Sequence, residues 1–133
     1  MRSIVSAALL CSTVLLSACN TDGPAYDDPP ADVDATIELS TLLQFVPDTI
    51  TVPVGATIEW QNKSVETHTV STVPEGSGEA ADIALPTGAE PFDSGDLAPG
   101  EVYRHTFTVP GTYRYICDPH HGLGMKGTIV VTG

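Results

Sequence analysis

The chain has 133 residues, with 17 Asp and Glu against 5 Lys and Arg, a formal charge of −12, and 3 Cys. That length allows one domain of ordinary size. The charge argues against nucleic acid and anionic lipid headgroups as ligands, because phosphate recognition needs clustered Lys and Arg; it suits a basic protein partner or a saline medium.

The first segment is a targeting signal. Arg2 precedes an apolar run from Ile4 to Leu16 that is too short to span a bilayer as a helix. The run ends in Leu16-Ser17-Ala18-Cys19, which resembles the lipobox of bacterial lipoproteins. The resemblance implies cleavage after residue 18 and acylation of Cys19; an ordinary secretory signal is the alternative. Both imply export, to the periplasmic or cell-surface side, with a lipid anchor in the first case. Residues 19–35 follow as an acidic tether with three Pro and five Asp in "NTDGPAYDDPPADVDA". Cys11 leaves with the signal and Cys19 carries lipid, so Cys117 stands alone in the folded domain. A lone thiol in an oxidising compartment must be buried or bound.

Residues 36–133 form the domain, and their pattern predicts an all-β fold. Short β-rich runs alternate with Gly, Pro, Asn and Asp turns. Strands are expected at 36–41, 49–55, 57–62, 68–72, 102–109, 112–117 and 126–133. Alternation places Ile58 and Trp60 inward and Glu59 and Gln61 outward. Residues 73–100 are rich in Gly, Pro and acids and read as surface loop, with one or two helical turns at "EAADIAL" (79–85). Seven to eight strands of this length pack as an antiparallel Greek-key β-sandwich.

The chemistry concentrates in "CDPHHGLGM" (117–125). Cys117 ends one strand and Lys126 starts the next, so these residues form a loop at one end of the sandwich. The loop offers a thiolate, adjacent imidazoles at His120 and His121, and the thioether of Met125. Zinc has no use for Met; two His and one Cys with a weak Met is the donor set of an electron-transfer copper site. One imidazole must come from elsewhere, with His68, His105 or the spare member of the pair as candidates. His68 begins a strand beside the Asn62-Lys63-Ser64 turn and suits the role. His105 lies mid-strand with Tyr103 and Phe107, where a histidine is ordinarily a packed boundary residue.

The same loop is similar to the C-x-P-H-x-G-x-G-M loop of the blue copper proteins, or cupredoxins, in their plastocyanin and pseudoazurin branch. "PGTYRYIC", "DLAPGEVYRHTF", "FVPDTITVPVGATIEWQN" and "ETHTV" resemble further segments of that family, so the likeness covers nearly all of 36–133. It implies one type 1 copper ion held by His68, Cys117, His120 and Met125, with His121 exposed beside the site. It also implies an apolar docking patch to which Pro119, His120 and Leu123 contribute. Thr69 departs from the Asn usual in plastocyanins, so the link between the ligand loops is expected to differ.

The function expected is that of an exported, membrane-tethered carrier of single electrons between redox proteins, such as a cytochrome or a respiratory or photosynthetic complex with a basic docking face. It is expected to act as a monomer and not as an enzyme. Copper storage or delivery is the alternative, disfavoured by the scarcity of Met (Met1 and Met125 only). Multicopper oxidases and copper nitrite reductases need further domains and His-x-His motifs.

Overall fold

A computed structural model describes residues 32–76 and 78–133. The expected signal at 1–18, Cys19 and nearly all of the tether lie outside the described residues. Among the described residues seven strands form two sheets. They are β1 (Ala35–Leu39), β2 (Phe45–Val46), β3 (Thr49–Pro53), β4 (Thr57–Asn62), β5 (Val102–Thr106), β6 (Gly111–Ile116) and β7 (Lys126–Thr132). One sheet has the order β2-β1-β4-β5 and the other β3-β7-β6.

The pairing is mixed. β1 runs parallel to β4 and β3 parallel to β7, while the remaining pairs are antiparallel. The parallel pairs follow from sheet switching: the chain leaves β1 and β3 for other elements and returns to each sheet in the same direction. β1 ends opposite Asn62, and Lys126 starts β7 opposite the end of β6. The 62–68 turn and the 117–125 loop therefore share one pole. Ala35 and Thr132 lie at the other, paired with the start of β4 and the end of β3.

Alternation fills the space between the sheets. Ile37, Leu39, Ile58, Trp60, Phe107, Tyr113, Tyr115, Ile129 and Val131 are buried there. Trp60 is central, with Phe92, Tyr103, Phe107 and Tyr115 around it. Its Nε1–H donates to the Tyr115 hydroxyl at 3.2 Å, which satisfies an otherwise stranded donor. Gly127 lies opposite Tyr115 in the sheet, and the Tyr115 ring fills the space where a Cβ would stand.

Three expectations need correction. Glu59 points away from the core but is buried, 3% exposed, because Arg104 covers it with an ion pair of 2.6 Å. Residues 79–85 hold turns rather than helix, and Ala84 instead makes a two-way backbone bridge to Arg114 on the edge of β6. Residues 68–72 lie extended but form only isolated bridges. There the Val70 N–H donates to Ser94 Oγ and the Phe92 N–H to Thr72 Oγ1, so side chains replace the carbonyls a regular ladder needs.

Candidate metal centre

The 62–68 turn is built around Asn62. Its Oδ1 accepts from the Ser64 N–H (2.9 Å) and the Ser64 hydroxyl (2.8 Å), and its Nδ2 donates to the carbonyls of Glu66 and Leu97. This fully satisfied amide delivers His68 to the pole, buried to 0% exposure and bridged through its backbone to Leu97. The single Ser64 hydroxyl proton is within reach of Asn62 Oδ1 (2.8 Å) and the Glu66 carbonyl (3.1 Å), and the Glu66 N–H donates to Ser64 Oγ. With two oxygen acceptors at hand for its proton, the Ser64 oxygen, 2.8 Å from His68 Nε2, is disposed to accept from that ring. On this network the His68 proton is assigned to Nε2, which leaves Nδ1, the atom facing Cys117 and His120, without one.

The second loop begins where β6 ends. Pro119 opens a 3-10 helix, Asp118–Leu123, which Gly124 terminates in the left-handed region at φ 89°. The Cys117 N–H donates to the Met125 carbonyl at 3.1 Å, and the Met125 N–H to the His120 carbonyl at 3.3 Å. These bonds close the loop, with Cys117 and Met125 both fully buried at its ends.

Three donor atoms then converge. Cys117 Sγ lies 3.5 Å from His68 Nδ1 and 3.4 Å from His120 Nδ1, and the two nitrogens are 3.1 Å apart. Among the described residues these three side chains form the one group of His, Cys and acidic residues so clustered. Met125 adds a thioether from the same closed loop. Burial pushes the Cys117 thiol up, although the Thr69 N–H, 3.3 Å from the sulfur, opposes this. Burial also lowers His68, as does the charge of His120 beside it. A sulfur and two imidazole nitrogens so crowded fit a soft cation better than one another.

Thr69 ties the loops together. Its hydroxyl donates to Asp118 Oδ2 at 2.7 Å and accepts from the Asp118 N–H at 2.8 Å. Asp118 Oδ1 is buried without a partner, and burial raises this carboxyl. With Thr in place of Asn at 69, the link between the loops was expected to differ, and it is a Thr–Asp exchange of two hydrogen bonds. Ser64 had no sequence signal, since nothing in its identity marks an acceptor four residues before a histidine.

The other histidines stand apart. His121, expected to be exposed, is instead partly buried (17% exposed), because its Nε2 bonds to Asp82 Oδ2 at 2.8 Å. His105 packs against Phe92 and Phe107, ring centroids 4.5 and 4.8 Å away, as expected of a boundary residue.

The sequence profile of copper binding proteins of the plastocyanin/azurin family matches residues 31–132. The chain belongs to that family. It is 37% identical over 107 residues to plastocyanin of Scenedesmus fuscus, covering 74% of this chain and 99% of the relative. A Cu(I) form of an amicyanin variant superposes with a TM-score of 0.59 at 28% identity, covering 78% of this chain and 87% of that one. A Cu-containing nitrite reductase from Thermus scotoductus SA-01 gives 0.57 at 32% identity over 74% of this chain, but the match spans only 22% of the reductase. Copper is accordingly the cofactor of this plastocyanin/azurin-family protein, and His68, Cys117, His120 and Met125 are positioned as a type 1 copper site. Among the described residues no helix is long and apolar enough to cross a membrane.

Proposed function

We propose that the protein is an exported, membrane-tethered blue copper protein that passes single electrons between redox proteins. The convergence of His68 Nδ1, Cys117 Sγ and His120 Nδ1 within 3.1 to 3.5 Å carries the reading. His68, Cys117 and His120 would be the strong ligands and Met125 the weak one. Copper would supply the one-electron couple between Cu(I) and Cu(II).

The protein's own part is to hold these donors still. Two rigid strands, the Asn62 turn, the closed loop and the Thr69–Asp118 link leave little to rearrange when charge changes, which favours fast outer-sphere transfer. The Thr69 N–H on the sulfur tunes the thiolate. His68, Cys117 and Met125 are fully buried, and His120 is the partly exposed member. It therefore offers the short route to a docked partner. Around it stand exposed Pro119 and Leu123 (71% exposed), and the turn after β1 brings Leu42 (76% exposed) to the same pole. Such a patch suits brief encounters of small area with a basic redox protein. With four side chains available for the metal, no open coordination position is left for catalysis.

Three experiments test this. The oxidised, copper-loaded domain should show a strong thiolate-to-copper band in the red that Cys117→Ser abolishes; a colourless protein overturns the reading. Fast, reversible electron exchange with a cytochrome separates a carrier from a copper store, which would bind Cu(I) but exchange slowly. The tether is tested by radiolabelled palmitate incorporation, which Cys19→Ala should remove.

A further inference from the structure

The long segment between Val73 and Gly100 does more than cover an edge. Ala84 pairs with Arg114 on β6 through two backbone hydrogen bonds, of 3.1 and 2.9 Å. This anchors the segment three residues before Cys117. Two residues upstream of Ala84, Asp82 turns toward the metal loop. Its Oδ2 accepts from His121 Nε2 at 2.8 Å and from Lys126 Nζ at 2.8 Å. The Asp82 N–H donates to the Glu79 carbonyl, which fixes the turn that presents the carboxylate.

The two partners bracket the ligand loop. His121 sits in the 3-10 helix directly after His120, and Lys126 directly follows Met125. One carboxylate oxygen therefore joins the segment, the helix and the first residue of β7, with a metal-ligand candidate next to each contact. His121 is 17% exposed, Asp82 30% and Lys126 43%, so water reaches the junction and screens its charges. The favourable contacts with Lys126 and His121 hold the Asp82 carboxyl below its ordinary range. His121 is thereby accounted for: it is tied to Asp82 and takes no place in the donor cluster.

We propose that Asp82 is a positioning residue: residues 79–85 form a strap whose carboxylate clamps the 118–126 loop through His121 and Lys126 and so limits how fast that loop opens and releases metal. The release half rests on the copper reading above; the clamp itself does not.

The test uses Asp82→Asn and Asp82→Ala in the full domain, with His121→Gln to break one arm alone. Amide hydrogen exchange on the metal-free protein should quicken about fivefold or more at 118–125 while β4 and β5 stay unchanged. On the loaded protein, copper transfer to a strong chelator should quicken by about the same factor, with the visible band unmoved because no ligand is altered. His121→Gln should give the same direction with smaller effect. Unchanged exchange at 118–125 in both Asp82 variants overturns the clamp, as does uniform quickening across all strands. A shifted band in His121→Gln overturns it too, because His121 would then be a ligand. If the protein takes up no copper, the site reading falls, and the exchange contrast alone decides the clamp.

Discussion

The Nδ1 atoms of His68 and His120 lie 3.1 Å apart although 52 residues separate them in the chain. Neither nitrogen belongs to a strand; each is delivered by a loop braced against one. The Ser64 hydroxyl, with Asn62 and the Glu66 carbonyl to take its proton, stands 2.8 Å from His68 Nε2 and so favours the tautomer that leaves Nδ1 free for a metal.

Ser64→Ala should therefore weaken copper binding without touching a donor atom. The Nε2–H would lose its acceptor in a buried place, and the other tautomer would become competitive. Affinity should fall by about 10- to 100-fold, the usual effect of removing such a partner. Competition with a chelator of known affinity measures the fall, and nitrogen chemical shifts of the metal-free imidazole report the tautomer. An unchanged tautomer with unchanged affinity would refute the argument.

Asp118→Asn should raise the reduction potential. The amide oxygen can still accept from the Thr69 hydroxyl, so the link between the loops survives while one negative charge beside Cys117 is lost. Less negative charge favours Cu(I) over Cu(II). A shift of tens of millivolts is expected, since about 59 mV corresponds to a tenfold change for one electron. Voltammetry of both proteins at neutral pH measures it, and a fall in potential would contradict the sign.

His105 predicts acid sensitivity of the metal-free protein. Burial lowers it from the ordinary value of 6.5, and His68 is lowered as well. The unfolded chain then takes up protons before the folded one does. The associated stability is present above about pH 6.5 and is lost as pH falls through the folded values. Denaturant midpoints should drop between pH 7.5 and 5.5, and His105→Phe should drop less than the parent. An equal or steeper drop in the variant would remove His105 from the account.

Gly127→Ala should destabilise the fold. A Cβ there would occupy the space of the Tyr115 ring tip. Displacing that ring would also disturb the acceptor of Trp60 Nε1. A loss of about 1–3 kcal/mol is expected from overpacking alone. Equilibrium denaturation reads it, and Tyr115→Phe in the same background should recover little, because the ring itself remains in the way.

Much of this architecture was legible in residue order. Alternation located β4 at 57–62 as found, and β6 and β7 within a residue of their ends. The cluster from Cys117 to Met125 announced its donors because thiolate, imidazole and thioether rarely gather by chance. Other features were hidden for identifiable reasons. β2 has two residues, too few for any periodicity. The extended run at 68–72 fails as a strand because Ser94 and Thr72 supply side-chain partners, which no pattern of hydrophobicity reports. Glu59 looked exposed because its neighbour across the sheet, Arg104, lies 45 positions away. Asp82 looked like one more surface acid, and only the fold brings it to His121.

The parallel pairing of β1 with β4, and of β3 with β7, sends Ala35 and Thr132 to the same end of the two-sheet body. Extensions on either side of the fold thus emerge behind it, about a strand length from His120. A linker, a fusion partner or an electrode surface attached there leaves the electron-exchanging tip facing outward and unobstructed.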